Sequence, residues 1–135
     1  MKNTFLSVKM AAASFILMGL FLLVSSQVKA QTTNDLFSVP NVTFVSNQAA
    51  IPMVEAKIVT LKSQYEVLIH GSQAYNENEA KYAFYSIILQ KLNDGKTTKE
   101  SLEAALPFFG TDAASAMSRT TMLATKQEAI NLLKQ

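Results

Sequence analysis

The chain has 135 residues, with 12 Lys or Arg, 10 Asp or Glu, one His and no Cys. The lack of cysteine excludes a disulfide framework, a thiolate metal site and a lipid-modified cysteine at a processing site. Arg119 is the only arginine and the lysines are scattered, so the basic footprint of a nucleic-acid binder is missing and no nucleic-acid partner is expected.

The N-terminus reads as an export leader. Lys2 and Lys9 form a positive region, Met10 to Val24 is apolar or small throughout, and a polar segment ends in Val28-Lys29-Ala30. Small residues at minus three and minus one predict cleavage between Ala30 and Gln31, which makes residues 1–30 a signal peptide. Removing Lys2, Lys9 and Lys29 would leave 105 residues carrying nine bases and ten acids, shifting the net charge from +2 to −1. A domain of that size buries enough surface to fold without staples. Export without disulfides predicts the periplasm of a bacterium or the space outside it. A competing reading keeps the leader as an anchor, since Met10 to Gln27 approaches spanning length. Otherwise the membrane is involved only during export.

Residues 31–50 are rich in Asn, Thr, Ser and Gln, carry Pro40 and show no helical period, so they read as a flexible arm. Within this arm Val42, Phe44 and Val45 are suited to a short extended piece, and Asn41-Val42-Thr43 matches a glycosylation sequon. The helical domain is expected over 51–135. Its first helix is predicted from Pro52 to His70, with Val54, Ile58, Leu61, Tyr65 and Leu68 as the apolar stripe and Gly71 as a left-handed cap. The central helix is predicted from a capping box at Asn76 and Glu79 to the turn at Asn93-Asp94-Gly95. It is apolar on nearly every face through Ala80, Tyr82, Phe84, Tyr85, Ile88 and Leu92, so it needs neighbours on several sides.

Thr97 and Glu100 form a second capping box, opening a short helix that Pro107 ends, and Phe108-Phe109-Gly110 makes a corner. The segment from Thr111 to Gln135 reads as one helix or two, with Thr125 and Glu128 as a third box and Ala129, Ile130, Leu132 and Leu133 as a face for the central helix. The fold class expected is all-α: a small antiparallel bundle of three to five helices after the signal peptide and arm.

No spacing in the chain specifies chemistry. His70 stands alone beside a helix-ending glycine, Gly95-Lys96-Thr97 lacks the upstream glycine and strand of a phosphate loop, and Asn93-Asp94-Gly95 falls short of a calcium loop. No catalytic residue, metal ligand or cofactor is therefore predicted. The surplus is aromatic: Tyr65, Tyr75, Tyr82, Tyr85, Phe108 and Phe109 are the candidate apolar binding surface. The function expected is an exported, non-enzymatic helical protein that binds a protein partner, a peptide or an apolar ligand, or that self-associates. The alternatives are a small hydrolase or metal-dependent enzyme using carboxylates and His70, and a membrane-tethered subunit with an uncleaved leader.

Overall fold

The computed structural model describes residues 36–135. The leader expected over residues 1–30, with its cleavage between Ala30 and Gln31, lies outside the described residues. The described chain is all-α, with helices α1 (Asn47–Tyr65), α2 (Gln73–Asn93), α3 (Thr98–Ala105) and α4 (Arg119–Leu133). Two 3-10 turns, Leu106–Gly110 and Asp112–Ala114, connect α3 to α4.

Helix α1 opens five residues earlier than Pro52 predicts. Ser46 has extended backbone and its Oγ accepts from the Ala49 amide at 3.1 Å, supplying the N-cap. Pro52 then lies inside the helix, where its missing N–H leaves the carbonyl of exposed Gln48 to water. At its other end α1 stops at Tyr65 rather than His70. Gly71, at φ +84°, serves the turn that follows instead of the helix cap.

Helix α2 likewise starts before Asn76. The Ser72 Oγ accepts from the Tyr75 amide at 3.1 Å, and the Asn76 side chain donates to the Gly71 carbonyl at 3.2 Å. Glu79 is thereby released from any capping role. The far end of α2 closes as a Schellman motif: Lys96 N–H donates to Lys91 O at 3.1 Å and Gly95 N–H to Leu92 O at 3.0 Å, with Gly95 at φ +92°. The Thr97 and Glu100 capping box opening α3 is present in both directions. The Thr125 and Glu128 pair lies in mid-helix of a single α4, whose cap is Ser118. Thr125 instead donates back to the Thr121 carbonyl at 2.8 Å, which satisfies a buried hydroxyl locally.

Helix α2 supplies the centre of the core through Ala80, Phe84, Tyr85, Ile88 and Leu92, all buried. Phe84 stacks on Phe109 of the first 3-10 turn, centroids 4.6 Å apart and planes at 20°. Leu102 and Leu106 pack from one side, Val54 and Leu61 of α1 from another, and Ala129, Ile130 and Leu133 of α4 complete the cluster. The backbone of α4 approaches α1 more closely than α2, while its side chains reach α2 through Glu128 and Tyr85.

The segment drawn as a flexible arm is docked from residue 36 onward. Leu36 is only 3% exposed, Phe44 forms an antiparallel bridge with Lys134, and the Val45 amide donates to Leu133 O at 2.8 Å. Gln135 N–H donates to Thr43 O at 2.8 Å, and Thr98 Oγ1 to Val45 O at 2.7 Å. The short extended piece expected of Val42, Phe44 and Val45 is present around Phe44, and it pairs with residues 133–135 of the same chain. Asn47 extends this clasp by donating to Leu92 O at 2.9 Å and Lys96 O at 2.6 Å, capping the carbonyl end of α2 from the first residue of α1.

Candidate functional site

The six aromatic residues singled out as a binding surface divide between core and surface. Tyr85 at 0% exposure and Phe109 at 4% belong to the core, which needs their volume around Phe84, so neither lines an open surface. Phe108 is half-buried beside Phe109, at 6.3 Å between centroids. Tyr65, Tyr75 and Tyr82 are half-buried and lie together at the end of the molecule formed by the α1–α2 turn.

That clustering follows from helical spacing. Tyr75, Glu79, Tyr82 and Ser86 recur along α2 at steps of four, three and four, so they share one stripe, and Tyr65 meets it from the last residue of α1. Tyr65 packs edge-on against Tyr75 at 5.1 Å and 86°, and against Tyr82 at 5.6 Å and 61°. Beside these rings runs an open groove of about 570 Å³ walled by Tyr65, Tyr82 and Glu79. Ala80, Ala83 and Ala113 line it with small side chains, which leaves the space unfilled. The Ser86 hydroxyl on its wall is turned back to the Tyr82 carbonyl at 2.8 Å. The Tyr65 phenol is pushed above the ordinary tyrosine value of 10.0, first by burial and then by Tyr75 and the negative charge of Glu79, with Tyr82 and Glu66 adding to it.

The turn itself carries the most exposed aliphatic side chains of the described residues. Val67 is 82% and Ile69 80% exposed, with Leu68 between them half-buried and Val59 of α1 also exposed. The turn is hydrogen-bonded, with Leu68 N–H to Tyr65 O at 3.1 Å and Ser72 N–H to Ile69 O at 2.9 Å. Leaving two large aliphatics in water forgoes roughly 1.5 to 3 kcal/mol each of burial. His70 lies against Tyr75, centroids 4.6 Å apart.

A second polar cluster joins three helices. Lys57 of α1 pairs with Glu128 of α4 at 2.9 Å, and the Tyr85 hydroxyl of α2 donates to the other carboxylate oxygen at 3.4 Å. Lys57 Nζ also lies 5.6 Å from the Tyr85 ring centre. Burial pushes the Tyr85 phenol well above 10.0, and the charge of Glu128 and its hydrogen bond add to the effect. This cluster pins α4 to the core and has the character of a structural lock.

Periodicity alone did not single out Val67 and Ile69, and it read Glu79 as a capping residue. The signal for the aliphatic pair is their spacing: both fall off the stripe that ends at Leu68, so a helix continued to His70 would already present them to solvent. Among the described residues no three His, Asp or Glu side chains gather to hold a metal ion, and no helix is long and apolar enough to cross a membrane. No family model, no curated protein and no solved structure matches the chain.

Proposed function

We propose that the protein is an exported antiparallel helical bundle that acts by binding, without catalysis, and that its binding face is the end formed by the α1–α2 turn. One observation carries this reading. A hydrogen-bonded turn holds Val67 and Ile69 almost fully in water beside three half-buried tyrosines, an arrangement that costs the isolated domain burial energy and gives a partner an apolar anchor. The leader pattern before Gln31 supports export to the periplasm or beyond. Residues 43–45 are already paired with residues 133–135 of the same chain, so the binding role rests on the turn.

The test is native mass spectrometry of the protein purified gently from its own compartment, for wild type and the Val67→Ser/Ile69→Ser variant. The expected spectrum shows a chain beginning at Gln31 with added mass from a second copy, a polypeptide or a small ligand. The variant keeps the wild-type Tm and loses that mass. A bare monomer in the wild type, or added mass retained by the variant, overturns the assignment of the binding face. A chain retaining its leader overturns the cleavage.

A further inference from the structure

The groove beside the turn differs chemically from the aliphatic tip. Two of its walls are tyrosine rings 5.6 Å apart at 61°, and its one ionisable carboxylate is Glu79, which is exposed. None of the residues lining it is Lys, Arg or His. Rings of this kind carry negative faces, and a carboxylate at their edge adds a full negative charge, so the groove is complementary to positive charge with apolar bulk. Its volume of about 570 Å³ lies in the range of small-molecule sites, and the alanines lining it leave space for alkyl groups.

We propose that the groove beside Tyr65 and Tyr82 binds a small organic ammonium ion, with Glu79 as its counter-charge. Resting on the reading that this end of the molecule is the binding face, the proposal names the ligand class. A fully alkylated nitrogen suits the site better than a primary amine. It has no N–H groups to satisfy, sheds water easily, and spreads its charge over methyl groups that tyrosine rings accommodate.

The probes are choline chloride and its uncharged carbon analogue 3,3-dimethyl-1-butanol, followed through the ring resonances of Tyr65 and Tyr82 by NMR. Choline is expected to shift these signals saturably in the millimolar range. The uncharged analogue should bind at least threefold more weakly. Because Glu79 is exposed, Glu79→Gln leaves the core untouched, and it should weaken choline about threefold to fivefold while leaving the analogue unchanged. Tyr82→Leu should weaken choline by a similar factor with the same far-UV spectrum.

Equal binding of both probes, or no effect of Glu79→Gln, overturns the cation assignment while leaving the binding face intact. No saturable shift with either probe overturns the groove as a small-molecule site. The Val67→Ser/Ile69→Ser measurement then judges the binding face by itself, since it does not involve Glu79.

Discussion

Replacing Tyr85 by Phe removes one hydroxyl from a fully buried side chain, and the structure predicts an effect whose sign depends on pH. Near pH 8 the wild type keeps a hydrogen bond from this hydroxyl to Glu128. Bonds to charged acceptors contribute about 1.5 to 3 kcal/mol, but this one is long at 3.4 Å and the Glu128 side chain is 44% exposed, so about 1 kcal/mol is expected. Burial and Glu128 hold the folded phenol's pKa well above the unfolded value of 10.0. Between those two values the folded state keeps a proton that the unfolded state has released, so the wild type loses stability as pH rises. For a phenol held protonated in the folded state through this range, the loss is about 0.8 kcal/mol at pH 10.5 and about 1.4 kcal/mol at pH 11. Tyr85→Phe lacks this loss, while the other tyrosines and the lysines titrate in both proteins. Urea unfolding followed by helical circular dichroism should therefore show the variant about 1 kcal/mol less stable at pH 8, and the curves should cross between about pH 10.5 and 11. A difference that stays constant from pH 8 to 11 would refute the reasoning.

Phe84→Ala empties the stack on Phe109 and should cost about 3 to 5 kcal/mol, a large part of the stability of a domain this size, read as a fall in Tm. Asn47→Ala removes both donors that cap the end of α2 and should cost about 1 to 2 kcal/mol in urea unfolding, with no change in m-value. Thr97→Ala should cost about 1 kcal/mol through loss of the α3 cap. Glu100 has its carboxyl lowered from 4.5, chiefly by the Thr97 backbone N–H. Its contribution is therefore present above the unfolded value and lost as pH falls through the folded one, and Glu100→Gln should flatten that acid-side decline in a pH series.

The all-α class was legible because apolar residues recur at helical spacing along both long helices, and the α3 cap because Thr97 and Glu100 act on the backbone within one turn. Helix starts lie upstream of those expected because Ser46 and Ser72, with extended backbone and side chains accepting from Ala49 and Tyr75, supply the caps, and Pro52 and Asn76 fall inside the helices. The docking of residues 43–45 was hidden, since it rests on backbone bonds to Leu133 and Gln135 and on one distant hydroxyl, Thr98, and backbone groups carry no sequence signature. The candidate surface was legible only in part for a related reason. Tyr82 and Tyr85 point only about 60° apart around α2, and a helix apolar on most faces does not show which tyrosine meets a ring of α1 and which meets Phe84.

The bonds joining Thr43 and Val45 to Leu133 and Gln135 have a consequence for how the protein is made. A chain is synthesised from its N-terminus, so residues 43–45 exist long before the segment they pair with, which lies about ninety residues further on. Helices α1, α2 and α3 have their caps and mutual contacts within earlier sequence and are free to form first. The Thr98 hydroxyl reaches Val45 O earlier, but the two backbone bonds of residues 43–45 wait until residues 133–135 have been made. A chain ending at Leu132 would lack both backbone bonds and keep only the Thr98 contact to hold residues 43–45.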